Sequence, residues 1–165
     1  WFNDYPTDVS VNAYNTLQPL PLPIQNVSDF AFKADITWSS TSGYAGCGII
    51  FRSADSLADG GYYRFMALRL VGAPSWFVDY WEFGKSQFIS TKEVLINSAI
   101  KVDNNSTNSY FFTLRKNIMT VYANGTRLGA VDVVKQSGGN FYLFTIQESG
   151  KTTCSFDKLW IWKFK

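Results

Sequence analysis

The fold class this sequence predicts is all-β, an antiparallel sandwich or barrel. Three observations carry that expectation. About eleven short apolar or alternating runs follow one another from Asp29 onward, with turn residues between them. One of those turns is Asn124-Gly125, the strongest short hairpin signal, because both central residues need φ > 0. No stretch carries a sustained helical period, and only residues 92–101 are expected to hold a helical turn.

Residues 1–28 are expected to be an irregular segment packed on the domain. Their "LQPLPLPIQ" is Pro-rich and extended, and Pro bars it from a central strand. "FAFKADITW" then alternates apolar and polar, and "STSG" breaks it. "YAGCGIIFR" reads as a buried run, "SADSLADGG" as a loop, "YYRFMALRL" as a strand and "VGAPS" as a turn. "WFVDYWEF", "SQFIST" and "VLINSAI" lead into the polar loop "KVDNNSTNS". A three-stranded meander follows, turning at Lys116-Asn117 and at Asn124-Gly125. In that register Phe112, Leu114, Met119, Val121 and Leu128 share an apolar face. Phe111, Thr113, Thr120, Tyr122 and Arg127 share a mixed one, since strands alternate with period 2. The pairing expected is Val121 with Leu128 and Tyr122 with Arg127. "GGNFYLFTI" and "CSFDKLWIWKF" close the chain. With no repeat and no linker, residues 1–165 read as one domain.

Composition narrows the function classes. Hydrophobic residues make up 46% of the chain, ample for a core. Net charge is +2 without a basic run, so nucleic acid is not an expected partner. No stretch of about 18 apolar residues suggests membrane insertion. The abrupt opening "WFNDYP" reads as a piece of a larger protein. The chain has no His, which removes the commonest general base and metal ligand. Cys47 and Cys154 are too few for a zinc site. They form either one long-range disulfide or two buried thiols.

The order "GIIFR", "GYYRF", an aromatic strand, "SAI", "VYANGTRLGAVD" and "CSFDKLWIW" resembles the concanavalin A-like lectin/glucanase superfamily. The resemblance is to the laminin-G-like domains of bacterial extracellular and surface proteins, over about residues 29–164. It implies a two-sheet antiparallel jelly roll with little or no helix, and a glycan on one face or its rim. It further implies an extracellular or surface setting, compatible with a Cys47–Cys154 bond. Some relatives carry a structural calcium. The resemblance would place it at Asp157 of the last strand, with Asp29 or Asp35 assisting.

Saccharides are held by aromatic faces and by planar polar groups. Arg52, Tyr62 and Arg64 are expected to emerge together if Phe51 and Phe65 are core. Trp76, Tyr80 and Trp81 cluster around Asp79 in the next strand. These seven residues are the expected ligand site. Trp38, Trp160 and Trp162 are assigned to the core. On this reading Trp81→Ala and Arg64→Ala weaken a bound glycan and leave folding intact. Hydrolysis is disfavoured, because glycosidases need two flanking carboxylates. The chain has only Glu82, Glu93 and Glu148 as glutamates, and Asp79 and Glu82 fall on opposite faces of a strand. The expected function is thus a noncatalytic, monomeric carbohydrate-binding module that requires no cofactor. The alternatives are a protein-interaction or sensory ectodomain of the same fold and, after it, a glycoside hydrolase.

Overall fold

The computed structural model describes residues 1–165, the Ile89 side chain excepted. Fourteen strands run β1 (Phe2–Asn3), β2 (Thr7–Val11), β3 (Thr16–Pro21), β4 (Phe30–Ser40), β5 (Tyr44–Ser53), β6 (Tyr62–Leu70) and β7 (Ala73–Glu82). They continue with β8 (Lys85–Ile89), β9 (Leu95–Ile96), β10 (Thr107–Arg115), β11 (Ile118–Ala123), β12 (Thr126–Asp132), β13 (Asn140–Gln147) and β14 (Thr152–Lys163). No helix is present among the described residues, and the span 92–101 holds β9 and turns instead of a helical turn.

The strands form two antiparallel sheets. One is ordered β1-β14-β4-β10-β11-β12, with β2 also on β14. The other is ordered β3-β13-β5-β6-β7-β8, with β9 also on β7. The first is called sheet A below and the second sheet B. The segment 1–28 is therefore not irregular, since it contributes β1, β2 and β3. Its prolines still act as expected. Strand β3 sits at the edge of sheet B, with Pro19 opposite Phe144 and Pro21 opposite Tyr142. An edge strand tolerates residues that cannot donate.

The main core lies between the sheets. Phe30, Phe32, Phe112, Leu114, Val121 and Phe156 of sheet A meet Ile49, Phe51, Tyr63, Phe65, Trp76 and Phe141 of sheet B. Cys47 of β5 and Cys154 of β14 are bonded across this layer, with Cα atoms 5.8 Å apart and a sequence separation of 107. Chain-entropy arguments give a loop of that length about 4.7 kcal/mol of stabilisation.

The Asn124-Gly125 turn has φ of 51° and 81°, the pair of positive values such a loop requires. Asn124 also ties the preceding loop. Its Nδ2 donates to Ala99 O at 2.7 Å and Asn108 Oδ1 at 2.8 Å, and its Oδ1 accepts from Ser109 N at 2.9 Å. Tyr122 faces Arg127, but Val121 faces Gly129, because a register shift sets Leu128 between the two pairs. Leu128 still packs, partly buried, on the core.

Strand β14 holds a larger correction. Cys154 and Phe156 point inward, so unbroken alternation would send Trp160 and Trp162 inward too. Instead the register shifts between Asp157 and Trp160, and Lys158 has φ of 48°. The extra residue switches the parity. Leu159 and Ile161 enter the core, and Trp160 and Trp162 stand outside, exposed. Trp38 is buried.

Candidate functional site

The outer face of sheet B brings polar and aromatic side chains together. Period-2 alternation sets its membership. On β6 the inward set is Tyr63, Phe65 and Ala67, and the outward set is Tyr62, Arg64, Met66 and Leu68. On β7 the inward set is Trp76, Val78 and Tyr80, which leaves Phe77, Asp79 and Trp81 outside. On β5, Tyr44 and Ile50 point out, with Gly46 and Gly48 at the outward positions between them. Gly48 is required there, because a Cβ would lie 2.7 Å from the Phe144 ring and closer still to Phe65 O. The face thus has an apolar bed of Ile50, Met66, Phe77 and Phe144, flanked by Tyr44, Tyr142, Trp81 and Leu57 of the loop between β5 and β6.

Arg64 and Asp79 stand directly opposite each other in the β6–β7 ladder. Arg64 Nε donates to Asp79 Oδ1 at 2.9 Å, and Nη2 donates to Oδ2. Trp81 Nε1 donates to the same Oδ2 at 2.6 Å. The guanidinium lies over the Trp81 ring, with Cζ 4.2 Å from the ring centroid. Tyr62, facing Trp81 across the ladder, stacks near-parallel to it at 17° and 6.5 Å. Two aromatic residues therefore frame one oriented, carboxylate-backed guanidinium.

That fork is only partly used. Arginine has five N–H donors, and two bond to Asp79. The Nη1 donors have no protein partner among the described residues. The fully buried side-chain polar atoms left without a partner among the described residues are Trp38 Nε1 and Ser90 Oγ, so Nη1 keeps a trace of solvent contact on a side chain that is 6% exposed. Tyr62 and Tyr44 feel the same pair. Burial raises the pKa of both phenols, with Asp79 adding to the rise and Arg64 opposing it. Both remain neutral hydroxyls at physiological pH.

Of the seven residues expected at the site, Tyr62, Arg64, Asp79 and Trp81 come together. Trp76 and Tyr80 do not. They have the opposite parity to Asp79 and Trp81 and are buried in the main core. Arg52 is also elsewhere, for a backbone reason. It has φ of 46° in a bulge where Ser53 pairs with Asn140 and Ile50 with Tyr142. Its guanidinium turns into the end of the sandwich and donates to the carbonyls of Ser28, Val133, Gln136 and Lys116, and to Asp29 Oδ1 at 3.3 Å. Burial lowers its pKa, and Asp29 works against that. Arg52 is a structural tie among three loops. The sequence reading omitted Tyr44 and Tyr142. Their parity with Ile50 and Phe144 was the available signal.

The donors at Asp157 do not fit a resident calcium. Asp157 lies opposite Asp35, but the Lys158 ammonium sits 3.4 Å from Asp35 Oδ2, and Asp29 is held by Arg52. No group of three or more metal-ligating side chains forms among the described residues, and calcium takes six to eight oxygens. No helix of the described residues is long and apolar enough to cross a membrane.

Comparison with protein-family models and with curated proteins finds no match. Solved structures do superpose. The carbohydrate-binding module CBM66 from Bacillus subtilis gives a TM-score of 0.71 at 15% identity, over 96% of this chain and 91% of that one. Sheep galectin-11 gives 0.57 at 13% identity, over 87% of this chain and 99% of that one. A Bacillus licheniformis β-glucanase gives 0.62 at 10% identity, over 99% and 96%. Binding modules, lectins and a hydrolase thus share one architecture, and function follows from the site, not from the fold. At these identities the likeness establishes the architecture: the chain is a concanavalin A-like jelly-roll sandwich.

Proposed function

We propose that the protein is a noncatalytic saccharide-binding module that takes its ligand on the outer face of sheet B. The observation that carries this reading is the Arg64 fork, held by Asp79, roofed by Trp81 and left with free Nη1 donors beside Tyr62. A guanidinium presents planar donors to vicinal hydroxyls or to a carboxylate. An adjacent indole supplies an apolar face for pyranose C–H groups. One such pairing supports weak binding, with a dissociation constant of about 10 µM to 1 mM, or about −4 to −7 kcal/mol. The superposition on a carbohydrate-binding module and a galectin supports the class of ligand.

The noncatalytic reading rests on how the carboxylates are spent. Asp79 accepts from Arg64 and Trp81, and Glu82 accepts from the Tyr80 hydroxyl at 3.1 Å. The two also project to opposite faces of β7, Glu82 sharing the inward parity of Tyr80, so they do not form the paired arrangement glycosidases use. An extracellular or surface setting fits the disulfide, which persists where the surroundings oxidise. The module acts as a monomer.

A glycan-array screen followed by calorimetric titration tests the reading. Arg64→Lys keeps the charge but loses the fork, and should weaken the best glycan by about tenfold. Trp81→Phe keeps an apolar ring but removes the indole N–H, and should weaken it by a smaller factor. If no glycan binds below about 1 mM, the reading fails and a protein-interaction ectodomain of the same fold replaces it.

A further inference from the structure

The outer face of sheet A carries a second aromatic surface, unconnected with the site on sheet B. Trp162 is 65% exposed there, Trp160 47% and Phe111 40%. With Ala31, Lys33 and Phe164 they line a groove of about 400 Å³. The register explains it. Lys33 on β4 lies between Trp160 on β14 and Phe111 on β10. One step along, Trp162 lies beside the short Ala31. The aromatic level continues across the sheet, with Phe2 opposite Trp160 and Tyr122 opposite Phe111. The rings brace one another, Phe2 against Trp160 at 4.9 Å and Phe111 against Tyr122 at 5.9 Å.

At Trp162 and Phe164 the groove opens into a cleft of about 490 Å³ bordered by Arg115, Lys116, Lys163 and Lys165. The carboxylate in that cleft, Asp29, is already engaged by Arg52 and by the Lys116 backbone N–H. The ion pairs among the described residues are Arg52–Asp29, Arg64–Asp79 and Lys158–Asp35. None of them neutralises Lys33, Arg115, Lys163 or Lys165. Arg115 lies over the Phe164 ring at 4.3 Å, so one cation is already oriented at the junction.

Exposed rings spaced over one sheet face suit the C–H faces of successive pyranoses. Uncompensated cations beside them suit carboxylate or sulfate groups on the same chain. We propose that this face is a second saccharide site, which takes an acidic oligosaccharide lying across the strands of sheet A. Its rings rest on Trp160, Trp162 and Phe111, and its acidic groups meet Lys33 and the Arg115 cleft. A second copy of the chain fits worse. A two-fold contact sets the patch against itself, and the side chains lining it offer no carboxylate but the engaged Asp29 to meet its cations. An uncharged apolar partner would strip water from the same cations without pairing them.

The test is titration of the whole chain with a panel of uronate and sulfated hexasaccharides: galacturonate, guluronate, hyaluronan and chondroitin sulfate. A neutral glucose hexamer and phosphatidylserine vesicles run beside them. At least one acidic hexamer should bind, and added salt should weaken it, because exposed charges are screened. Trp162→Ala and Arg115→Ser should each weaken it about tenfold or more, with thermal midpoints unchanged because both side chains are exposed. Val71→Ala, exposed and outside both faces, should leave the affinity unchanged. The proposal is overturned if no acidic hexamer binds at about 1 mM, or if the glucose hexamer binds as tightly. It is also overturned if Arg64→Lys abolishes the binding while Trp162→Ala spares it. Vesicle binding, or a concentration-dependent dimer, that Trp162→Ala removes while no saccharide binds assigns the face to a membrane or a second copy and overturns it too.

Discussion

Removing the Asp79 carboxylate should unsettle the fold as well as the site. The side chains of Arg64 and Asp79 are 6% and 3% exposed. Asp79→Ala leaves a buried guanidinium with no counter-charge, a change that costs about 3–5 kcal/mol. It also strands the Trp81 indole N–H, which now donates to Asp79 at 2.6 Å. A buried donor without an acceptor adds about 1 kcal/mol or more. The expected loss is about 4–6 kcal/mol, against a typical domain stability of about 5–15 kcal/mol. Arg64→Ala strands the carboxylate in turn, so the expectation that it leaves folding intact does not survive the structure. The double variant removes both charges together. Its loss should fall short of the summed single losses by about 2–3 kcal/mol, because residues of one network do not add. Urea denaturation of the four proteins, compared at equal m, reads this directly. Additivity within about 0.5 kcal/mol would refute the argument that the pair is one buried unit.

Arg52→Lys should destabilise by about 3 kcal/mol or more, because an ammonium cannot serve four carbonyls and Asp29 in the fork geometry; a wild-type urea midpoint would refute it. Stability should fall as pH rises above about 10. Burial raises the phenols of Tyr44, Tyr62, Tyr63, Tyr80 and Tyr110 in the folded state. Above the ordinary value the unfolded chain releases tyrosine protons that the folded chain keeps, so the unfolded state binds fewer and gains with pH. Urea midpoints that stay level between about pH 8 and pH 11 would contradict this. The Cys47–Cys154 bond should resist reductant in native buffer, since both residues are buried. Two thiols titrating promptly in the folded protein would count against it.

The strand pattern and the Asn124-Gly125 hairpin were legible because each is a local signal. Period-2 alternation in "YYRFMALRL" separates Tyr63 and Phe65 from Tyr62 and Arg64, and the structure keeps that division. The same rule, applied to "SWFVDYWEF", separates Trp76 and Tyr80 from Asp79 and Trp81. Grouping all four by proximity in sequence put two core residues into the site. The N-terminal segment was misread because its strands are short and lie at sheet edges, where Pro is tolerated and alternation is weak. Residues 1–28 carry few apolar pairs to mark a face.

What the sequence determined by itself is the class of fold, the hairpins and the inward set of most strands, because turn chemistry and alternation are properties of neighbouring residues. What only the tertiary structure decided is where alternation breaks and what each polar group meets. A positive φ at Arg52 sends a charge that parity would place outside into the end of the sandwich. A positive φ at Lys158 moves two tryptophans from the core to an open face. Those bulges arise from how a strand fits its partner across the sheet, and the partner is distant in the chain. The Arg64–Asp79 pair likewise joins residues 15 apart through strand register. Its surroundings are the outer cluster of sheet B, which five strands and a loop assemble.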